Sequence, residues 1–359
     1  MALPVVSKLE QCSDYTLTLA PYIYQFAELP KRLLTVTSFE RLEEVYITTN
    51  PVVSALALSI VVGQIAFVVS TINKNYSQID RVWSILPAVY NCHYWYYGYL
   101  TGIRSQRMDI MAVFTLCWAA RLTFNYWRKG GYEIGSEDYR WNLVKSWFSE
   151  PVWVGFNYVV VSLFQSFLLA MVTTPSYILL LASRINPSLG GDDAAFMQIL
   201  GMLLMLEYSS DNQQWEFQEA KKEYQRTAKV PEGHERADLD RGFITTGLWG
   251  YSRHPNFAAE QGIWVALYQW ACFQSGSLMN WTFVGVMFYL FIFQASTPIT
   301  EYMSSKKYPE YKLYKERVGR FIPKLGSPSF KSSLEKEKKL NEPKAVNTTE
   351  KTKQSKKLR

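Results

Sequence analysis

Residues 247–260, GLWGYSRHPNFAAE, bring together side chains that can bind a nucleotide. Flat rings stack on a base, cations bind phosphate, and an amide and a carboxylate bind the edges of a sugar or base. The side chains concerned are Trp249, Tyr251, Arg253, His254, Asn256 and Glu260. The stretch runs into the apolar segment 263–273, and polar groups at the mouth of a membrane helix are costly unless they bind something. We therefore expect a nucleotide cofactor here.

Three further polar clusters lie beside apolar segments. One begins at Asp80, one runs from Arg121 through Gly130-Gly131 to Trp141, and one is Asp211-Asn212-Gln213. We expect these clusters and the residues beyond the last apolar segment to converge with 247–260 on one cytosolic pocket. The further cofactor-binding candidates are Arg121, Asp138, Arg140, Asp211, Gln213 and Tyr308.

Simpler interpretations of the same residues remain open. Asp80 could cap the helix that begins near Val82. Arg121 could extend to a lipid headgroup, but its position inside an apolar run favours inward pairing with Asp138 or Glu207. The Asp138-x-Arg140 pair could be a plain surface ion pair. In the same way, Asp211 to Gln213 could form a turn at the end of a helix.

The positions of the apolar segments predict the elements that must hold these clusters. A helix that spans a membrane needs ~20 mostly apolar residues. Approximate spans are 51–72, 82–100, 110–127, 152–173, 194–208, 262–273 and 281–298. A kink or end is expected at Thr173-Thr174-Pro175, with Tyr177–Ala182 a turn or a short re-entrant piece. The sequence predicts an all-α protein, a polytopic membrane helix bundle of about seven transmembrane helices with a cytosolic-side cofactor pocket.

The distribution of Lys and Arg predicts how the chain is oriented in the membrane and which regions lie outside it. Loops rich in Lys and Arg face the cytosol, which places 216–253 and everything after Lys306 there. We divide the chain into an N-terminal lumenal or interfacial region 1–50, a transmembrane domain 51–325 and a Lys-rich disordered cytosolic tail 326–359. Lys356-Lys357 stand four and three residues from the C-terminus, as in a dilysine signal read by the coat-protein retrieval machinery of the endoplasmic reticulum. Chance in a Lys-rich tail is the alternative.

Other chemistries find little support in the composition. The four cysteines and three histidines have no metal-ligand spacing, so no metal is expected. The formal charge of +7 is concentrated in the tail, and no nucleic-acid motif is present.

In order and number, the motifs resemble the steroid 5-alpha-reductase superfamily, closest to its branch of poorly characterised multi-pass membrane proteins. The resemblance rests on residues 247–260 with Trp264 and on supporting matches from about Asp80 to Pro323. The supporting matches include Asp80-x-x-Trp83-Ser84, Arg121 with Gly130-Gly131, Asp138-Tyr-Arg-Trp141, Asp211-x-Gln213-x-x-x-Phe217, Pro298-x-x-Glu301, Tyr308-Pro-Glu-Tyr-x-x-Tyr314 and Phe321-Ile-Pro323.

The resemblance implies an NADPH-dependent reductase of a carbon–carbon double bond in a lipid from the bilayer, which could be sterol-like, fatty-acyl or isoprenoid. It places the aromatic, basic and polar residues of 247–260 in the cofactor site, supported by Asp211 and Gln213. For the proton donor, position in the chain suggests Asp80, Tyr94 and Glu207 as catalytic candidates.

Departures from the pattern keep two alternatives open. Ile263 stands where steroid reductases carry a second Glu, which argues against a steroid. Isoprenylcysteine and phospholipid methyltransferases, which use S-adenosylmethionine, share the Arg-His-Pro core, although Asn256 and Glu260 favour the reductase. A non-catalytic lipid-binding protein is the third possibility.

Overall fold

The computed structural model describes residues 2–324 and 330–332, and every regular element in these ranges is helical. The expected all-α class is confirmed. The α-helices of these ranges are α1 Tyr15–Thr18, α2 Gln25–Leu34, α3 Phe39–Ile47, α4 Pro51–Asn73, α5 Gln78–Val82, α6 Leu86–Leu100, α7 Gln106–Arg128, α8 Tyr139–Lys145, α9 Glu150–Phe156, α10 Gln165–Met171, α11 Pro175–Ile185, α12 Gly191–Thr227, α13 Arg236–Arg241, α14 Pro255–Gln274, α15 Phe283–Lys307 and α16 Tyr311–Arg317. Short 3-10 turns cover Leu9–Ser13, Ala20–Tyr22 and Gly247–Gly250, and Asn157–Phe164 is π-helical.

Three helical segments of the described chain are long and apolar enough to cross a membrane, which indicates a membrane protein. They are Pro51–Asn73, Glu150–Ile185 and Phe283–Lys307, with mean hydropathies of 2.5, 1.7 and 1.5. The other segments for which we predict spans are also helical, in α6, α7, α12 and α14. These helices are shorter or carry more polar residues, because several of them contribute side chains to the cavity described below.

The long segment Glu150–Ile185 is interrupted near its middle. Helix α10 ends at Met171, and α11 begins at Pro175. The expected interruption is therefore confirmed, but Tyr177–Ala182 is helical and buried and does not form a turn. The physical reason is that a proline in the first turn of a helix removes no hydrogen bond and already has the helical φ.

Contacts divide the chain into two compact units. The first comes from Met1–Asn212 and Asn256–Lys306, and the second from Gln213–Pro255 and Lys307–Arg359. In the first unit, α4 packs on the π-helical segment and α10, while α6 packs on α7. Small residues allow close approaches: a Cβ on Gly285 of α15 would lie 2.2 Å from the carbonyl oxygen of Met171.

The second unit has two small aromatic clusters. One gathers Phe217, Leu239 and Trp249, and the other gathers Phe243, Tyr311 and Tyr314. A single parallel bridge between Ser252 and Gly319 ties residues 247–255 to the chain after α16.

Two of the simpler sequence interpretations are wrong. Asp80 does not cap a helix, because it lies inside α5, whose N-cap is Ser77. Asp211 and Gln213 do not form a terminal turn, because α12 continues without a break to Thr227.

Most of the tail 326–359, for which we predict disorder, lies outside the described residues, and so does the dilysine pair. Residues 330–332 of that tail are described and are helical. Phe330 is buried there, with its ring centroid 5.2 Å from that of Tyr314.

Candidate functional site

A cavity of about 380 Å³ lies within the first unit. Its wall combines ionisable, amide, aromatic and aliphatic side chains drawn from α5, α7, α8, α10, α12, α14 and α15 and from the connections beside them. The ionisable members are Asp80, Arg121, Lys129, Asp138, Arg140, Glu207, Asp211 and Glu260. Five of these eight groups are acids and three are bases.

Arg121 is the centre of the buried polar network. Its Nη2 lies 2.7 Å from Glu207 Oε1 and its Nη1 lies 2.6 Å from Asp211 Oδ2. A third carboxylate follows, since Glu260 Oε2 is 3.6 Å from Nη2. The predicted inward pairing of Arg121 with Glu207 is confirmed, whereas Asp138 is not its partner. One guanidinium thus faces three acids, all nearly removed from water.

Asn256 belongs to the stretch 247–260 and to the first unit, and it joins this network. Its Nδ2 donates to Asp211 Oδ1 at 3.1 Å. Because Asp211 also accepts from Arg121, both of its oxygens are engaged. The two residues that favour a reductase in the sequence, Asn256 and Glu260, therefore both contact the Arg121 network.

Glu260 is held by three aromatic donors. Trp118 Nε1 donates to Oε2 at 2.8 Å, while Trp264 Nε1 and the Tyr289 hydroxyl donate to Oε1 at 2.8 and 2.5 Å. Trp264 reaches Glu260 because residues four apart lie on the same face of a helix. Charge-assisted hydrogen bonds of this kind fix a carboxylate in one orientation.

Four buried polar atoms of the cavity-lining residues have no hydrogen-bond partner within the described part of the chain. They are the acceptors Gln165 Oε1 and Glu207 Oε2 and the donors Arg121 Nε and Nη2, of which Nη2 is ion-paired. Gln165 Oε1 is a free acceptor and Arg121 Nε a free donor. Leaving such groups unpaired costs about 1–3 kcal/mol each. A ligand with both a donor and an acceptor, such as a carboxamide, would satisfy them.

A second polar group lies in another part of the wall. Asp138 binds Arg140 through two hydrogen bonds of 2.8 Å and also caps α8 by accepting from the Arg140 main chain. Burial alone would raise the pKa of Asp138, but the hydrogen bonds from Arg140 outweigh it and lower the pKa. Asp80 Oδ2 accepts from Trp141 Nε1 at 2.9 Å. Burial raises the pKa of Asp80, and the nearby Arg140 charge offsets only part of that rise.

The Gly130-Gly131 pair gives these side chains room. Gly130 has a φ of +79°, which favours glycine. A Cβ on Gly131 would lie 2.4 Å from the ring of Tyr126, a cavity-lining residue. The motif therefore allows the chain to turn closely around Tyr126.

The remaining sequence-predicted cofactor residues lie in the second unit. Trp249 is buried and its carbonyl accepts from the Tyr314 hydroxyl, whereas Tyr251 is exposed. The Arg253 guanidinium donates to the carbonyls of Lys315 and Val318. His254 is buried, and its main-chain N–H donates to the Arg320 carbonyl at 3.0 Å.

Gln213 and Tyr308 support the second unit itself. Gln213 Oε1 accepts from Leu248 N at 2.9 Å and lies against Gly247, whose φ is +57°. The Tyr308 hydroxyl accepts from Lys221 Nζ at 2.9 Å. Burial would raise the pKa of Tyr308, but the bond from Lys221 outweighs it and the pKa is lowered.

Of the three catalytic candidates, Asp80 and Glu207 line the cavity and Tyr94 does not. Tyr94 is buried in α6, with its ring centroid 6.2 Å from that of Tyr177. Sequence reasoning missed Gln165 and Tyr289. Gln165 could have been found as one of two amide side chains, with Asn157, inside the mostly apolar predicted span 152–173.

The fold and the cavity define a class of protein, an all-helical membrane protein with a buried polar cavity among its helices. Residues 66–318 match the sequence family described as "Protein of unknown function (DUF1295)", and the chain belongs to that family. It is also 38% identical over 325 residues to an uncharacterized protein of Schizosaccharomyces pombe, covering 90% of this chain and 93% of the relative. No solved structure matches the chain significantly.

Proposed function

We propose that this protein is an NADPH-dependent reductase of a carbon–carbon double bond in a membrane lipid. The observation that carries the proposal is the buried network of Arg121, Glu207, Asp211 and Glu260 around the cavity. Such a network is costly in a membrane protein and marks a functional site by default. The membership of Asn256 and Glu260 in it supports the superfamily resemblance.

The cavity residues fit the nicotinamide and ribose part of the cofactor. Gln165 Oε1 and Arg121 Nε offer an acceptor and a donor to a carboxamide. Asp211, Asn256 and Glu260 offer groups for ribose hydroxyls. A wall with five acids and three bases does not suit the phosphates. Because cations bind phosphate, we propose Arg253 and His254 for them.

Within the cavity, the side chains of the protein would bind NADPH, orient the lipid and supply the proton. Bound NADPH would supply a hydride to the alkene. Asp80 is our candidate acid for the carbon or oxygen that then gains a proton, because its raised pKa keeps the proton available at higher pH. Glu207 is the second candidate, and Arg121 would fix its orientation.

The membrane setting of the proposal follows from the sequence. We propose about seven spans, a cavity open to the cytosol and residence in the endoplasmic reticulum. The lipid would enter from the bilayer between helices.

Thermal unfolding of the detergent-solubilised full chain tests the proposal. A ligand that binds only the folded state raises the free energy of unfolding by mass action, by about 2.7 kcal/mol at a hundredfold excess over Kd. The temperature of the unfolding transition therefore rises. NADPH should raise it, whereas S-adenosylmethionine should not. A rise with S-adenosylmethionine alone would make the protein a methyltransferase, and a response to neither would support a non-catalytic lipid-binding protein.

A further inference from the structure

An apolar groove of about 620 Å³ lies between α6 and α7 and is distinct from the polar cavity. No charged side chain of the described chain lines it. Its lining residues are Ile85, Ala88, Val89, Cys92, Leu116, Ala119, Ala120, Thr123, Phe124, Trp127 and Tyr132. Alanines from both helices, Ala88, Ala119 and Ala120, are among its lining residues, and the volume is in the range of ligand-binding pockets.

A thin wall separates the groove from the cavity. Ser84 lines the cavity, Thr123 lines the groove, and their hydroxyl oxygens are hydrogen-bonded at 2.7 Å. Beside this pair, Tyr126 of the cavity meets Tyr132 of the groove with ring centroids 5.0 Å apart. The hydrogen bond that joins Ser84 of the cavity wall to Thr123 of the groove wall is worth about 0.5–1.5 kcal/mol net.

We infer that the groove holds the hydrocarbon chain of an uncharged linear lipid whose polar end passes between Ser84 and Thr123 into the cavity. The inference rests on the proposed function and names the class of its substrate. It also makes Ser84 and Thr123 residues that select the substrate.

Charge and shape specify this occupant. The two arginines of the cavity wall are already paired with carboxylates, Arg121 with Glu207 and Asp211 and Arg140 with Asp138. An anionic headgroup, such as a fatty-acid carboxylate or a phosphate, would have to compete with these acids. The groove accepts only apolar atoms along most of its length. A passage between two small hydroxyl side chains suits a flexible chain better than fused rings.

Photo-crosslinking of the full chain in detergent tests the inference. The probe is an alkyne-tagged diazirine analogue of farnesol, with a diazirine analogue of cholesterol for comparison. The farnesol probe should label peptides of α6 and α7, and excess farnesol should suppress the labelling. Labelling spread evenly over all apolar helices would overturn the inference, as would preferential labelling of the groove by the cholesterol probe.

Matched variants sharpen the test. Ala120→Trp fills the groove and should reduce its labelling about tenfold, equivalent to about 1.4 kcal/mol of binding. Val113→Trp places the same side chain on an exposed part of α7 outside the groove and should leave labelling unchanged. Leu116→Trp is the second filling variant, used if Ala120→Trp fails to fold.

The NADPH-induced rise in the thermal transition, measured on the same samples, separates the two proposals. If NADPH binds but the groove is not labelled, the groove inference falls alone. If the groove is labelled but NADPH causes no rise, the reductase proposal falls, and with it the assignment of the bound lipid as a substrate.

Discussion

Arg121 of α7 and Asp211 of α12 lie 2.6 Å apart, from Nη1 to Oδ2, with both side chains almost fully buried. Removing Arg121 would leave Glu207, Asp211 and Glu260 close together without a cation. Breaking a buried pair by deleting one partner costs about 3–5 kcal/mol. We therefore expect Arg121→Ala to lower the free energy of unfolding by about that amount, measured by thermal or denaturant unfolding in detergent.

The control for Arg121→Ala is an ion pair on the surface of the same unit. Arg41 and Glu44 pair within α3 with about half of each side chain exposed. Arg41→Ala should cost less than about 1 kcal/mol. Equal losses for the two variants would contradict the buried network.

Asp80→Asn tests the candidate acid with little change in shape. Since burial raises the pKa of Asp80, its contribution to stability is greatest at low pH and is lost as pH rises through that pKa. The asparagine can still accept from Trp141. We expect Asp80→Asn to gain stability relative to the native chain as pH rises. Lipid-dependent NADPH oxidation should fall by about 10²–10⁴-fold.

Asp138→Asn is the control, because the stability contributed by Asp138 should depend on pH in the opposite direction. The pKa of Asp138 is lowered, so its stabilisation is present at neutral pH and is lost as pH falls through that pKa. The difference in unfolding free energy between the native chain and this variant should vanish in acid. If both variants showed the same pH trend, the assignment of the two environments would be wrong.

Gly131→Ala tests the close turn around Tyr126. The added Cβ would lie 2.4 Å from the ring, so Tyr126 must shift. Overpacking of this kind costs about 1–3 kcal/mol. Gly201→Ala in α12 is the matched control, since a Cβ there meets nothing within 4 Å and alanine favours a helix. Unfolding experiments should show loss of stability for the first variant and none for the second.

Arg253→Ala should remove the NADPH-induced rise in the thermal transition while the protein remains folded. The variant also loses the bonds to the carbonyls of Lys315 and Val318, so we expect it to be about 1–3 kcal/mol less stable. The exposed Lys229 provides the control, and Lys229→Ala should change neither property. An NADPH response that survives in Arg253→Ala would remove Arg253 from the cofactor site.

The helical class, the kink before Pro175 and the inward pairing of Arg121 could all be predicted from the sequence. Each follows from a local signal, such as an apolar run, a proline or a charge deep in a helix. The sequence could not show that Asp211 is also a partner of Arg121. That contact depends on how α7 and α12 are rotated about their axes, and a single sequence does not determine rotation.

Helix rotation also explains why Tyr94 lies away from the cavity. A tyrosine on an aromatic helix is a reasonable proton donor by position, but the face that carries Tyr94 packs against Tyr177 instead of the cavity. Helix rotation also explains why the sequence did not indicate Tyr289, whose ring faces the buried network. In sequence it is one aromatic among many in an apolar run, and only packing brings its hydroxyl to Glu260.

The two indole donors of Glu260 make tryptophan fluorescence a probe of this carboxylate. Trp118 and Trp264 are both hydrogen-bonded to this carboxylate, and their rings lie 5.2 Å apart at 84°. Indole emission responds to the electric field and to hydrogen bonding at Nε1. Any molecule that alters the charge or orientation of Glu260 should change the fluorescence without an added label, and Trp118→Phe would identify the source of the change.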